Sequence, residues 1–259
     1  FKSIIEPNPG KINALHTGVA NCSYDLFIIC DDDNWLSPHY IQTAYNLLKG
    51  DKNIGAAGGF CEAVNDGQEF PEWFENYQTG YAVGSQGKQR GDVTKREYLF
   101  GAGMATRTML FKQAYFNFPT ILIGRQENKL TAGEDSEYCQ RLVLMGYQLF
   151  YDPNLKLQHY MPPSRLSYAY KELLFKGFDE SDIVLEKYHL ITRLKLKIEK
   201  SFINRVRLLI VTPIRMLFSS SSKKRNKEKD RLRYLLQLGY PKDPILDSIV
   251  KFEKEVSKK

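Results

Sequence analysis

Residues 24–38 read YDLFIICDDDNWLSP, a short apolar run that ends in three consecutive aspartates. Residues 26–30 show no alternation of polar and apolar side chains, which is typical of a strand buried on both faces of an α/β sheet. Asp31, Asp32 and Asp33 follow at the carboxyl end of this strand, where open α/β sheets place their ligand crevice. Because three adjacent carboxylates repel one another, we expect water or a cation to offset the repulsion.

The patterns around this strand alternate between strand-like and helix-like, which predicts an α/β fold. Residues 1–6, FKSIIE, have the pattern of the later part of a strand. A helix is predicted over about 12–20. Ser37 and Pro38 suit the N-cap and the first turn of a second helix, which Gly50 ends. One face of this second helix is marked by Ile41, Ala44, Tyr45 and Leu48.

The stretch 55–103 is rich in glycine and aromatic residues, so we predict loops and short strands around a site there. A helix is predicted over about 134–145, where Gly146 ends it. Two short strands then follow, YQLFYD at 147–152 and LKLQH at 155–159.

The chain is expected to divide into a catalytic domain, 1–166, and a basic helical C-terminal region, 167–259. Within the C-terminal region the polar segment near 219–229 is predicted to be a mobile hinge. A last pair of helices is predicted at about 228–239 and 244–257.

Charge is spread unevenly along the chain. Residues 1–170 contain 15 Lys/Arg and 18 Asp/Glu, whereas residues 171–259 contain 22 and 12. We therefore expect the C-terminal region to contact an anionic partner, either a phospholipid surface or nucleic acid. Since no aromatic-rich RNA-recognition motif is visible, we rank RNA below membrane and expect no nucleic-acid partner. The segment LLIVTPIRMLF at 208–218 is too short to span a bilayer but suits its interface.

The expected location is the cytoplasm, with peripheral attachment to the inner face of the plasma membrane as an accompanying hypothesis. No run of 18 or more apolar residues is present, and no signal peptide is visible. The four cysteines lack paired metal-ligand spacing, as expected of reduced cytosolic thiols.

Three groups of residues are candidates for chemistry. Asp31 and Asp33 are two residues apart, so on a strand end they would project toward one ion. A solvated acidic turn is the simpler alternative, but an EF-hand loop is a poor fit because its glycine position holds Leu36. A hard divalent ion shared with substrate phosphates fits better.

The second group is the pair Glu134 and Asp135 in the first turn of a predicted helix, where the helix dipole favours ionised carboxylates. An ionised carboxylate there could take a proton from an alcohol, although acidic first turns are also common for helix stability alone. The third is His159, which shares strand parity with Leu155 and Leu157 and so is expected to point inward. A histidine in the core is the alternative there, and Arg165 would pair either with phosphate or with a surface acid.

Taken together and in this order, the motifs resemble the inverting family 2 glycosyltransferases with the GT-A fold. The matching stretches are GKINALHTGVANCSYDLFIICDDDNWLSPHYI, GAGMATRT, LTAGEDSEYCQRLVLMGYQLFYDP and LQHYMPPSRLS, within roughly residues 6–170. The resemblance implies a Rossmann-like mixed sheet of a bacterial enzyme. It also implies further N-terminal strands that hold the nucleotide base, which we expect to precede residue 1. His16 is a departure, because many relatives carry Asn there.

The resemblance also implies roles for individual residues. Asp33 would ligate Mn²⁺ or Mg²⁺, and His159 would reach the metal or the diphosphate. The nucleotide-sugar donor would be bound by Asp31, Asp32, Lys11 and Arg165.

On the acceptor side, Asp135 would be the general base and Glu134 would orient the acceptor. The remaining acceptor contacts would come from Gly101, Ala102, Gly103 and Trp73.

The implied activity is transfer of a sugar, with inversion, from a nucleotide-sugar to a hydroxyl of a saccharide or lipid-linked acceptor in cell-surface polysaccharide synthesis. UDP is the expected nucleotide by family frequency. Two alternatives stay open: a catalytically incomplete fragment that acts as a membrane-surface binding module, and a nucleotidyltransferase. Release of pyrophosphate would mark the nucleotidyltransferase, and release of a nucleoside diphosphate would mark the glycosyltransferase.

Overall fold

The structure is a computed structural model that describes residues 2–115, 117–122, 124, 132–199, 202–219, 221–240 and 242–257, with the side chains of residues 199 and 202 excepted. The chain divides into two compact units, Phe1–Ile183 and Val184–Lys259. The described residues contain six strands and nine α-helices. All four cysteines are free thiols.

The first unit is built on a six-stranded mixed sheet, which confirms the predicted α/β class. Its strands are β1 (Leu26–Ile28), β2 (Asn34–Leu36), β3 (Ile54–Val64), β4 (Gly91–Asp92), β5 (Ala105–Arg107) and β6 (Gln148–Tyr160). The strand order is β1-β5-β3-β6-β2, and β4 pairs with β6 off this path. β3 and β6 are parallel, and the other pairs are antiparallel.

The N-terminal prediction was wrong, because residues 2–6 form no strand. The apolar run at 26–30 does form a strand, but β1 ends at Ile28. Past that point the backbone turns, and Asp31 O accepts a hydrogen bond from the Asn34 N–H at 3.1 Å.

The prediction of loops and short strands at 55–103 was wrong for 55–64, which belong to the long strand β3 (Ile54–Val64). Residues 65–103 do consist of loops, short helical turns and the two-residue strand β4. The glycines of β3 serve close packing rather than turns. A Cβ built on Gly59 would lie 1.7 Å from the Leu155 carbonyl oxygen, and one built on Gly55 would lie 2.7 Å from the Tyr147 Cβ. Small residues therefore let β3 lie directly against its neighbours.

The two short strands predicted at 147–152 and 155–159 form the single strand β6. Its pairing with β3 shifts register between Gly58 and Phe60. Pro153 lies in the unpaired part of β6, where its missing N–H removes no ladder hydrogen bond. Pro153, which in the sequence suggests a boundary between two strands, is thus accommodated within one strand by a β-bulge.

The helices of the first unit include α1 (Lys11–Ala20), α2 (Tyr40–Gly50), α3 (Phe74–Tyr77), α4 (Thr108–Tyr115) and α5 (Glu134–Leu144). The predictions for α1 and α5 are confirmed to within a residue of each bound. α2 differs, since His39 rather than Ser37 is its N-cap residue.

The face of α2 that the sequence pattern marked is buried only in part. Ala44 and Leu48 are buried, but Ile41 and Tyr45 are 69% and 51% exposed, and Tyr40 takes the inward position. The Tyr40 hydroxyl donates to the Gly103 carbonyl oxygen at 2.6 Å. Because its polar end is satisfied inside, the tyrosine is buried in preference to the more apolar isoleucine beside it.

The remaining helices are α6 (Tyr168–Glu199), α7 (Phe202–Leu217), α8 (Ser222–Leu235) and α9 (Pro244–Val256). The segment predicted as a hinge, 219–229, contains the first half of α8 instead of an irregular linker. The Ser221 side chain caps this helix by accepting a hydrogen bond from the Lys224 N–H. Within the described part of the chain, no helix has both the length and the apolar character needed to cross a bilayer.

Candidate active site

The three aspartates occupy the loop between β1 and β2. The Asp31 N–H also bonds Asn34 Oδ1 at 3.4 Å, which closes the turn around Asp32 and Asp33. The prediction that Asp31 and Asp33 project together from a strand end was therefore wrong, because the chain leaves the strand before it reaches them. Each of these two carboxylates has its own cationic partner.

Asp33 lies in a cluster with His159, near the end of β6, and with Arg165, which follows β6 in the sequence. Its Oδ2 accepts from Arg165 Nη1 at 2.7 Å and lies 3.5 Å from His159 Nε2. Its Oδ1 accepts from Asn34 Nδ2 at 2.9 Å. The register explains the grouping, since Asn34 pairs directly with His159 across β2 and β6.

His159 points inward, as its parity with Leu155 and Leu157 predicted, and is only 9% exposed. Burial lowers the pKa of this imidazole below its ordinary value, and the nearby Arg165 charge lowers it further, while Asp33 opposes the shift. Its Nδ1 atom is buried and has no hydrogen-bond partner among the described residues. The imidazole is therefore held mainly neutral at neutral pH.

Lys11, at the start of α1, links the two acidic motifs. Its Nζ donates to Asp31 Oδ2 at 2.6 Å. Burial alone would lower the pKa of Lys11, but the negative charge of Asp31, followed by those of Glu134 and Asp135, outweighs burial and raises it. One ammonium group thus interacts with carboxylates more than 100 residues apart in sequence.

Asp135, in the first turn of α5, is held by backbone donors. Its Oδ2 accepts from the Gly101 N–H at 2.9 Å, and its Oδ1 accepts from the Ser136 N–H at 2.7 Å. A Cβ built on Gly101 would lie 3.3 Å from both the Cβ and Oδ2 of Asp135. Glycine therefore permits the close approach of the loop to the carboxylate.

The Gly101–Gly103 loop also contacts the chain that leads into the aspartates. The Gly103 N–H donates to the Ile29 carbonyl oxygen at 2.9 Å, and the Ile29 N–H donates to Met104 O at 2.9 Å. Gly103 has φ +73°, and a Cβ there would lie 2.4 Å from the Tyr40 hydroxyl. The loop, including the buried Ala102, is thus bonded at one end to Asp135 and at the other to the end of β1.

Three predicted site residues lie at the margin of this arrangement or outside it. Glu134 lies against Gly124, since a Cβ built on Gly124 would be 3.3 Å from Glu134 Oε2. Asp32 is exposed. Trp73 belongs to an aromatic cluster with Tyr168, and the rings of both face Lys171. No described contact joins Trp73 to the aspartates.

Asn34 is a further residue of the site, and it was not among the candidates predicted from the sequence. It is 6% exposed and binds both the Asp31 N–H and the Asp33 carboxylate. An amide directly after an acidic run is a weak local signal, because asparagine commonly bonds nearby backbone in turns. Its position opposite His159 becomes visible only with the strand register.

The donor atoms suit a hard divalent ion that shares its coordination with a ligand. Carboxylate oxygens are preferred by Mg²⁺, which often takes only one or two protein carboxylates beside substrate phosphates. The described residues hold no group of three or more His, Cys, Asp or Glu side chains placed to bind a metal on their own. A divalent ion beside either carboxylate would therefore need further ligands from the bound substrate.

The family described as glycosyltransferase-like family 2 matches residues 3–174, about two thirds of the chain. No curated protein matches it. The mixed, curled α/β sheet agrees with the GT-A, Rossmann-like fold expected from the sequence motifs. With its acidic loop and its Gly101–Asp135 contact in the matched region, the chain belongs to glycosyltransferase family 2 and is a transferase of glycosyl groups.

Proposed function

We propose that the chain is an inverting, metal-dependent glycosyltransferase of cell-surface polysaccharide synthesis. It would transfer a sugar from a UDP-sugar to a hydroxyl of a saccharide or lipid-linked acceptor. The observation that carries this proposal is the Gly101–Gly103 loop. It bonds Asp135 at one end and the end of β1 at the other, so a candidate base and a candidate diphosphate site share one scaffold.

Asp135 is the proposed general base. Its carboxylate is half-buried and is oriented by two backbone N–H groups, from Gly101 and Ser136. A carboxylate held in this way is positioned to take a proton from the acceptor hydroxyl as the hydroxyl attacks the anomeric carbon. One displacement assisted by one base inverts the configuration and needs no covalent intermediate.

The donor diphosphate is proposed to bind beside Asp31 and Asp33. Lys11 and Arg165, which contact these carboxylates at 2.6 and 2.7 Å, are the cations available to the diphosphate oxygens. Mn²⁺ or Mg²⁺ held by Asp33 and His159 would neutralise the charge of the departing nucleoside diphosphate. Asn34 orients the Asp33 carboxylate for this role.

Thermal unfolding with nucleotides tests the donor side. The chain is melted with UDP, GDP, dTDP and CDP, each with and without Mn²⁺. UDP at 100 times its Kd should stabilise the fold by ~2.7 kcal/mol, and only when the metal is present. Asp33→Ala should abolish the shift, whereas Asp25→Ala, which removes a carboxylate whose side chain is 84% exposed, should leave it unchanged.

Product analysis tests the reaction class. Incubation with a UDP-sugar and acceptor should release UDP, and the new linkage should have the opposite anomeric configuration to the donor. Release of pyrophosphate instead would assign the chain to the nucleotidyltransferases. A metal-independent shift with every nucleotide would contradict the proposed site.

A further inference from the structure

Helix α7 carries a row of exposed apolar side chains. The exposed fractions run from 42% for Val206 to 84% for Phe218, which directly follows the helix. The members of this row, called here the α7 stripe, are Ile203, Val206, Ile210, Ile214, Leu217 and Phe218. A soluble helix normally buries such a row.

The α7 stripe lies on one side of the helix, because its members recur every three or four residues. Thr212, which falls between them on the opposite face, is buried at 2% exposure. The helix has 16 residues, which corresponds to a length of about 24 Å. The stripe is therefore long enough to lie along a surface but too short to cross a bilayer.

A second feature of the same compact unit is a cationic cavity. It has a volume of about 130 Å³, is partly open to solvent, and is formed by side chains of α6, α7 and α8. Besides three leucines and His189, its lining consists of Arg193, Lys197, Arg215, Lys227 and Arg231.

Among the described side chains, only some of these cations meet an acidic partner. Glu228 pairs with Arg231, but no ion pair between described residues involves Lys197, Arg215 or Lys227. Residues 184–259 contain 20 Lys/Arg and 8 Asp/Glu. Gathering like charges around one cavity is unfavourable, and a bound anion such as phosphate would offset the repulsion.

We propose that the unit Val184–Lys259 binds the surface of an anionic phospholipid bilayer. The α7 stripe would lie in the interface, and the cationic cavity would receive a lipid phosphate. Helices with an apolar face and basic flanks bind interfaces in this way, and basic residues nearby add electrostatic attraction to anionic lipids. Arg215 lies on α7, outside the stripe, and lines the cavity, so this helix contributes to both features.

Charge favours an anionic bilayer over a second copy of the chain as the partner of the α7 stripe. A dimer through the α7 stripe would bring together two units that each carry a large excess of positive charge, which opposes association. An anionic surface complements the same charge. The proposal does not rest on glycosyl transfer, because binding to vesicles needs neither donor nor acceptor.

Cosedimentation with vesicles tests the proposal on the full chain. The protein should bind vesicles of phosphatidylcholine with phosphatidylglycerol and should bind pure phosphatidylcholine about tenfold more weakly. The double variant Ile210→Glu, Ile214→Glu should lose about tenfold or more of the binding. Both side chains are largely exposed, at 60% and 48%, so the fold should tolerate the change, and circular dichroism checks this.

The cavity is tested by the triple variant Lys197→Gln, Arg215→Gln, Lys227→Gln. It should lose the preference for phosphatidylglycerol. A charge-matched control replaces three exposed lysines of the first unit, Lys52, Lys88 and Lys112, with Gln and should bind as the wild type does. Asp33→Ala, which disables the proposed donor site, should also leave vesicle binding unchanged.

Other outcomes would overturn the proposal. Equal loss of binding in the cavity variant and its control would mean that net charge acts without a defined site. Stabilisation by inorganic pyrophosphate without vesicle binding would indicate a site for a free anion. A dimer that Ile210→Glu, Ile214→Glu dissociates, or binding to RNA but not to vesicles, would assign the surface to a different partner.

Discussion

The Gly101 N–H donates to Asp135 Oδ2 at 2.9 Å, so a glycine in a loop between strands holds a carboxylate in the first turn of α5. The two residues are 34 positions apart. The two residues are closely packed, since a Cβ at residue 101 would approach Asp135 to 3.3 Å. The hydrogen bond gives the candidate base a fixed orientation.

Replacement of Gly101 by Ala tests this orientation. The added methyl group would push the Asp135 carboxylate away from the N–H, so we expect kcat to fall by about tenfold or more while the donor KM stays unchanged. Gly18→Ala is the matched control, because a Cβ at Gly18 meets nothing within 4 Å. That control should keep full activity and gain ~0.5–1 kcal/mol in the free energy of unfolding. Unchanged kcat in Gly101→Ala would argue against the positioning role.

Asp135→Asn removes the proposed base while it keeps the shape of the side chain. We expect the transfer rate to fall by about 10²–10⁴-fold, which is typical of a lost general base. The nucleotide-dependent thermal shift should remain, since Asp135 is proposed to act on the acceptor. A variant that transfers sugar at the wild-type rate would show that another group takes the proton.

His16 predicts how stability depends on pH. Burial lowers the pKa of its imidazole, and the positive charge of Arg141 lowers it further. The folded state therefore binds a proton less readily than the unfolded state, whose histidine pKa is about 6.5. As pH falls through this value, the unfolded state takes up more protons and stability decreases.

Urea unfolding of the wild type and of His16→Asn at neutral and at mildly acidic pH measures this contribution. The wild type should lose more stability than the variant as pH decreases. Equal losses would mean that the imidazole is as accessible to protons in the folded state as in the unfolded state. Phe111 and Tyr115, whose rings contact His16, are kept unchanged in both proteins.

Gly59→Ala tests the close approach of β3 and β6. A Cβ at residue 59 would lie 1.7 Å from the Leu155 carbonyl oxygen, so the backbone of one strand would have to move. We expect a loss of about 3 kcal/mol in the free energy of unfolding, at the upper end of typical overpacking. Gly50→Ala, at the end of α2, meets nothing within 4 Å and should be nearly neutral. A small effect of Gly59→Ala in a denaturant titration would show that the sheet can relax.

Local patterns predicted part of this fold well. α1 and α5 were anticipated because the signals of a helix lie within its own sequence, and Gly146 marked the end of α5. The patterns failed where contacts with residues distant in sequence determined the local structure. Gly55 and Gly59 suggested loops but lie in β3, since the parallel neighbour β6 packs against positions without side chains. Tyr40 rather than Ile41 is buried because Gly103 supplies an acceptor for its hydroxyl.

The sequence by itself determined the α/β class, the order of the acidic motifs and the inward orientation of His159. These properties depend on residue type and on spacing within single strands and helices. Only the tertiary structure decided which groups meet: Asn34 opposite His159, Lys11 beside Asp31, and Gly101 on Asp135. Such contacts depend on strand register and on the closure of long loops. The pattern within one strand shows which side chains share a face, but it does not show which residue of a distant strand lies opposite each of them.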